Sequence, residues 1–417
     1  MSTPTPPKNI RYPRITALIA IILAAVNLRS VITAISPLIP EIQASTGMSG
    51  TMVGIIGTVP TAMFAVSAFV LPRIKERFTL SEMMLLALGL TAVGQLLRVV
   101  YPNEWLLLVG SLIALFAIGI LNATMPLVVR EYFPRHVPSM SLTFMMSSQI
   151  MLAAAPIVAV PMMDWAENMG LPGWQISLGS WGVLAAIAAV SWLPLLIRRG
   201  PNPINTAPEP NFRLPVWRTT IGVGLAFMFG SNSLVAYTMM TFIPQIFTDA
   251  GQTAQYGANM LAIFSALGIP VTIVGPWLAG RLANVFPVVI MSAVFFSAAL
   301  LGLAFAPLAA PWLWVTLAAV GTVIFPMGMV LVNIRARTLE GATALTSFGQ
   351  GVGYTFASLG PLLTGAAHEA TDSFFIPLTV MAAIGPVTLV AGYFASRQTY
   401  VEDQLPAYAR PRAPSPR

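Results

Sequence analysis

The hydrophobic positions of this chain fall in long runs separated by short polar segments. Each run approaches the ~20 residues that a helix needs to cross the hydrocarbon core of a bilayer. Hydropathy predicts twelve spans, numbered 1 to 12 in chain order, at residues 15–42, 49–71, 81–100, 105–129, 139–160, 175–197, 217–247, 256–279, 286–306, 312–334, 343–366 and 374–396. The pattern predicts an all-α membrane protein of twelve transmembrane helices, embedded in the lipid bilayer.

A segment rich in proline, polar and charged residues follows span 6, which is typical of a linker between domains. We therefore predict two six-helix bundles and two cytoplasmic segments. Their bounds are residues 1–198 for the first bundle, 199–215 for the linker, 216–398 for the second bundle and 399–417 for the C-terminal tail.

The two halves also resemble each other. A shift of 204 positions aligns three pairs of identical residues: Pro40 with Pro244, Pro72 with Pro276 and Arg77 with Arg281. Two repeats of six spans have the same orientation, so they are related by a pseudo-two-fold axis along the membrane normal. This is the arrangement of the major facilitator fold, in which a substrate binds near the membrane midplane between the halves.

The distribution of charge sets the predicted orientation. Only 8% of the residues are charged. The segments on the same side of the membrane as the N-terminus hold 19 of the 21 Lys and Arg residues. Basic residues concentrate in cytoplasmic loops, so both termini are predicted to be cytoplasmic, in a multi-pass protein of the inner (cytoplasmic) membrane. The net charge of +7 then reflects topology and contact with anionic lipid rather than a nucleic-acid partner.

Residue types that support chemistry are scarce. The chain has no cysteine, which excludes a disulfide scaffold, a thiolate metal site and a cysteine nucleophile. Its two histidines, His136 and His368, are predicted on opposite sides of the membrane and cannot form one site. The 22 methionines are scattered and are interpreted as gap-filling residues. We predict no enzyme activity, no catalytic residues, no metal site and no cofactor.

One cation lies in the middle of a span. Arg29 is central in span 1, and no Asp or Glu lies near the middle of any predicted span. An arginine at that depth costs about 2.5–3.5 kcal/mol, so it must face a polar cavity or a partner. A substrate anion is one such partner. The alternative is that Arg29 bonds backbone carbonyls or a polar neighbour such as Asn27 and only ties helices together.

Further polar positions extend this candidate site. Thr33 and Ser36 share the helical face of Arg29, and the repeat places Tyr237 at the position in span 7 that Thr33 occupies in span 1. Packing between helices is the alternative for Tyr237. In span 11, Gln350 and Tyr354 lie on one polar stripe of the helix, which interhelical hydrogen bonds would explain equally well. The predicted substrate-binding residues are Arg29, Asn27, Thr33, Asn122, Gln149, Tyr237, Gln350 and Tyr354.

A second basic residue, Arg98, lies near the end of span 3. We expect its long side chain to reach the membrane interface as an anchor. Contact with the substrate is the alternative for this residue.

Three motifs resemble those of the cyanate and nitroimidazole transporter family of the major facilitator superfamily. They are Asn27-Leu28-Arg29 before Pro37-Leu38-Ile39-Pro40 in span 1, Gly119-Ile120-Leu121-Asn122 in span 4, and Gln350-Gly351-Val352-Gly353-Tyr354 in span 11. The resemblance covers nearly the whole chain and implies a transporter with the major facilitator fold.

Together these features predict a monomeric secondary or facilitative transporter of a small anionic or polar solute, such as a cyanate-like anion. The substrate would be held near Arg29 and moved by alternating access, with protons as a candidate coupling ion. Two alternatives remain: an exporter of neutral nitroheterocyclic or drug-like compounds, and a membrane receptor that binds without transporting.

Overall fold

The computed structural model describes residues 14–75, 77–197 and 214–405. All the regular structure in these ranges is helical. The spans, in chain order, are Arg14–Thr33 with the short helix Ile39–Thr46, Gly50–Lys75, Leu80–Leu97, Glu104–Tyr132, Val137–Asn168, Gly173–Ile197, Thr220–Asp249, Ala254–Arg281, Phe286–Phe305, Pro311–Gly321 with Ile324–Ile334, Leu339–Thr371, and Phe375–Met381 with Ile384–Ser396. Shorter turns are Ser36–Leu38, Val216–Arg218 and Val401–Gln404.

Within the described ranges, eleven of these helices are long and apolar enough to cross a membrane. They correspond to every predicted span except span 11. That helix, Leu339–Thr371, is long enough at 33 residues, but Ser, Thr, Gly and Gln residues interrupt its apolar sequence. It packs against spans 2 and 7. Because protein covers it on two sides, it does not need an apolar surface all round.

Three spans of the described ranges are interrupted, each four residues before a proline. Span 1 stops being α-helical at Thr33, four residues before Pro37. Span 10 ends its first helix at the cap Thr322, four residues before Pro326, and span 12 does so at Ala382, four residues before Pro386. A proline has no N–H for the carbonyl four residues earlier and clashes with it, which accounts for a break at that place.

The helices pack in a pattern that repeats after six spans. In the first half, span 1 packs against spans 5 and 6, and span 2 against span 4. The corresponding pairs, span 7 with spans 11 and 12 and span 8 with span 10, are packed in the second half. Between the halves, span 2 packs against span 11 and span 5 against span 8. A two-fold axis exchanges these two pairs, so the packing has the symmetry expected of parallel repeats.

Two sides of the bundle are distinguished below. The terminal face contains Arg14, Ile197, Leu214 and Leu405, which end the described segments, and the opposite face contains the turn at Gly47 and the helix end at Asp249. The predicted linker, 199–215, falls almost entirely outside the described residues, as does most of the predicted tail, 399–417. The domain boundaries therefore stay predictions.

Candidate functional site

Arg29 meets two tyrosines from the other half of the protein. Its side chain is partly buried in span 1, and its guanidinium lies close enough to the hydroxyl of Tyr237 in span 7 for a direct electrostatic interaction. Tyr354 of span 11 interacts electrostatically with both residues. The arginine and the two tyrosines, called the Arg29 cluster below, thus join spans 1, 7 and 11.

The donors and acceptors of this cluster suit an anion. A guanidinium only donates hydrogen bonds, so in a bond with Arg29 the Tyr237 oxygen accepts and its proton remains available for another acceptor. Among the described residues, no carboxylate forms an ion pair with Arg29. The cluster therefore has one unneutralised positive charge and hydroxyl donors beside it, which together match the oxygen atoms of a small anion.

Two predicted site residues of span 1 point elsewhere. Asn27 is fully buried and its amide donates to the carbonyl of Leu23 on its own helix at 2.8 Å. Residues two positions apart lie on different sides of a helix, so proximity in sequence to Arg29 does not bring Asn27 into the cluster. Thr33 is also fully buried and donates to the carbonyl of Leu152 at 3.1 Å, which ties span 1 to span 5.

The remaining predicted residues, Gln149, Gln350 and Asn122, each have a different environment. Gln149 of span 5 has its amide nitrogen against Gly268 of span 8. Gln350 donates to the sulfur of Met329 in span 10 at 3.2 Å. Asn122, near the middle of span 4, is exposed. An exposed amide at that depth fits a water-filled space better than lipid, because lipid offers no hydrogen-bond partner.

On the opposite-face side of the cluster, hydrogen bonds close the gap between the halves. The hydroxyl of Ser36 donates to the carbonyl of Met240 at 2.6 Å. These two residues are 204 positions apart, the offset of the internal repeat, so a direct contact between them puts the pseudo-two-fold axis at this point. Nearer the surface, the Thr51 amide donates to the carboxylate of Glu369 at 2.8 Å.

Small residues let spans 2 and 11 touch on the same side. A Cβ atom added to Gly54 would lie 2.6 Å from the carbonyl oxygen of Pro361, and one added to Gly365 would clash with that of Gly50. Only glycine permits backbones to approach this closely. The two helices therefore form a tight contact between the halves.

Arg98 does not reach the membrane interface, and that expectation is wrong. Its side chain is 1% exposed and lines a small cavity between the halves. One guanidinium nitrogen donates to the side-chain oxygen of Gln95 at 2.7 Å and to the carbonyl of Val31 at 3.3 Å. Val31 lies in the last turn of the first helix of span 1, where carbonyls lack intrahelical partners. The break at Pro37 thus supplies an acceptor inside the bundle that holds the arginine there.

Relatives of the chain are transporters. It is 26% identical over 401 residues to an uncharacterized transporter, YycB, of Bacillus subtilis, covering 95% of this chain and 97% of the relative. It is 24% identical to a 2-nitroimidazole transporter of Escherichia coli, covering 92% of this chain and 96% of that protein. It is 23% identical to the cyanate transport protein CynX of Escherichia coli, covering 86% and 91%. These similarities confirm the predicted resemblance to cyanate and nitroimidazole transporters.

The fold also matches solved transporters. A crystal structure of a bacterial homolog of the human lysosomal transporter Spinster superposes with a TM-score of 0.73 at 14% identity, covering 92% of this chain and 95% of that one. A sequence profile described as Major Facilitator Superfamily matches residues 17–365. The symmetric packing, the apolar helices and this match over most of the chain lead to one conclusion: the chain belongs to the Major Facilitator Superfamily and is a multi-pass membrane transporter.

Proposed function

We propose that the protein carries a small anion, of the size and chemistry of cyanate, across the membrane and binds it at the Arg29 cluster. One observation carries this proposal: Arg29 is a cation between the two halves with hydroxyl donors beside it and no carboxylate partner among the described residues. An anion would neutralise the charge that otherwise makes the centre of span 1 costly in a membrane.

The way the halves meet supports a cycle of alternating access. The bonds Ser36–Met240 and Thr51–Glu369 hold the opposite face closed, whereas the exposed Asn122 indicates water between the cluster and the terminal face. We take the terminal face as cytoplasmic, from the positive-inside pattern, and the conformation as inward-facing. Rocking of one half against the other about the cluster would open the opposite face.

The decisive test is uptake of radiolabelled cyanate into proteoliposomes. Arg29→Ala is expected to abolish saturable uptake, because it removes the charge and the forked donor, while Arg29→Lys restores it only in part. Arg397→Ala is the matched control, since it removes an exposed arginine at the end of span 12 and should leave uptake unchanged. Uptake by a folded, inserted Arg29→Ala variant equal to that of the parent would refute the proposal.

A second candidate substrate is a planar nitroheterocycle. The observation that favours it is the pair of tyrosines in the cluster, because aromatic rings offer faces on which a flat ring can stack while Arg29 donates to the nitro group. The relative described as a 2-nitroimidazole transporter supports the same class. Competition tests whether both substrates use the site. 2-Nitroimidazole should block cyanate uptake if both molecules occupy the Arg29 cluster, and should leave uptake unchanged if it does not bind there.

A further inference from the structure

Arg98 is a buried cation that the proposed mechanism does not use. Its side chain is 1% exposed, and none of the described carboxylates forms an ion pair with it. The nitrogen Nε has no hydrogen-bond partner. Gln95, which accepts from Arg98 through Oε1, likewise leaves its Nε2 donor unpaired. Buried polar groups are normally paired, so these two unpaired donors, one of them on the cation itself, mark a place that suits a hydrogen-bond acceptor.

The cavity beside Arg98 lies on the route between the Arg29 cluster and the opposite face. Its lining includes Ser36, Tyr237 and Thr241 as well as Arg98. Tyr237 therefore contacts both sites: Arg29 on one side and this cavity on the other. Ser36, which also lines the cavity, donates to the carbonyl of Met240 in the other half at 2.6 Å.

We propose that Arg98 forms a second anion-binding site, used when the opposite face is open. Separation of spans 1 and 7 on that side breaks the Ser36–Met240 bond and joins the cavity to the outside solution. An anion then binds at Arg98 and passes Tyr237 to reach Arg29. This inference rests on the proposed function, because it assumes that the cargo at Arg29 is an anion.

Both cations belong to the first half and lie at similar depths along span 1. The carbonyl that holds Arg98 is that of Val31, two residues beyond Arg29, which corresponds to about 3 Å of helical rise. Arg98 is thus held near the route between the Arg29 cluster and the opposite face while that face is closed. A purely structural role, in which Arg98 only caps the broken helix of span 1, is the competing explanation and predicts no effect of anions.

The absence of cysteine in the chain permits a direct measurement of charge in the cavity. Thr241→Cys places a single, nearly isosteric thiol in its lining. The rates of modification by an anionic and a cationic methanethiosulfonate, added at the opposite face of oriented proteoliposomes, report the local potential. Arg98→Gln is expected to lower the ratio of the anionic to the cationic rate about fivefold, the effect of one unit charge ~8 Å away in water. Arg397→Gln, which removes the same charge elsewhere, should leave the ratio unchanged.

Protection by cyanate is the second measurement. Cyanate should slow modification of Thr241→Cys when Arg98 is present and in the Arg98→Lys variant, and not in Arg98→Gln. An unchanged ratio and unchanged protection in Arg98→Gln would mean that Arg98 is only a helix cap, and a thiol that never reacts from the opposite face would refute opening of the cavity. If Arg98→Gln does not insert, absence of protection in the Thr241→Cys chain itself overturns the inference.

Arg29→Ala separates this inference from the proposed function. If both are correct, Arg29→Ala abolishes uptake and keeps protection of Thr241→Cys by cyanate. Protection lost in Arg29→Ala but kept in Arg98→Gln would refute the second site alone. Uptake kept in Arg29→Ala, together with protection that depends on Arg98, would refute the proposed function alone.

Discussion

A larger side chain at Gly54 should prevent the opposite face from closing. The Cβ of any other residue would lie 2.6 Å from the Pro361 carbonyl oxygen and 3.1 Å from that of Leu362. A carbon atom normally stays about 3.3 Å or more from such an oxygen, so the Cβ alone requires the backbones to separate by roughly 0.7 Å. The obstacles are main-chain atoms of span 11, which cannot rotate away as a side chain would.

The size of the effect follows from the cost of overpacking. Extra carbon atoms in a tight contact cost about 1–3 kcal/mol, which corresponds to a change of about 5–150-fold in the ratio of closed to open protein. Gly54→Ala should give the smaller value and Gly54→Leu the larger. Uptake should fall in the same order, because a carrier that cannot close one face cannot complete its cycle.

Cross-linking between the halves measures this directly. The side-chain amides of Gln43 and Gln245 are 3.4 Å apart across the closed face, so Gln43→Cys with Gln245→Cys should be joined by a short bifunctional thiol reagent. Adding Gly54→Leu is expected to reduce that product strongly.

Gly89→Leu is the matched control for this test. A Cβ added at Gly89 meets no atom within 4 Å, and leucine favours a helix over glycine by about 1 kcal/mol. Cross-linking that is equal in Gly54→Leu and Gly89→Leu would refute the view that the glycine contact controls closure.

Two further predictions concern hydrogen bonds. Tyr237→Phe removes the hydroxyl beside Arg29 and should raise the KM for cyanate uptake about tenfold. This factor corresponds to the loss of one hydrogen bond to a charged group, which contributes about 1.5 kcal/mol. An unchanged KM would exclude Tyr237 from the site. Glu402→Ala should lower the Tm in detergent, because this buried carboxylate accepts hydrogen bonds from the backbone amides of Arg337 and Thr338 at the start of span 11. Asp403→Ala, which breaks an exposed ion pair, should change the Tm far less.

Some features of the protein were predictable from its sequence and others were not. The spans were predictable because hydropathy is a local property: a helix in lipid must be apolar along its own length. Span 11 is the informative case. A helix is present where span 11 was predicted, although its composition is too polar for it to count among the membrane-spanning helices of the described ranges. Packing against spans 2 and 7 explains how its polar positions are accommodated.

Arg98 shows where local reasoning failed. Its place near the end of span 3 favoured an anchor at the membrane interface. The sequence could not reveal that the break before Pro37 leaves the Val31 carbonyl free to accept from this arginine, because that acceptor lies 67 positions away. The signal that would have found it is the scarcity of charge: Arg29 and Arg98 are the two basic residues left once the predicted loops are counted.

In the candidate site, too, some residues predicted from the sequence approach Arg29 and others do not. Asn27 and Thr33 were selected for their polarity and proximity to Arg29, and both bond to backbone carbonyls instead. Tyr237 and Tyr354 were selected from a repeat and a polar stripe, and both approach Arg29. Polarity indicates that a side chain needs a partner, but it does not identify the partner.

The sequence by itself determined the apolar helices, the duplication and the isolated charge of Arg29. Each depends on residues close together in the chain or on a direct match between its halves. Only the tertiary structure decided which groups surround that charge, that Arg98 is buried, and that the halves touch on one side. Those facts depend on how helices 67 to more than 200 positions apart pack together, and packing is a property of the whole molecule.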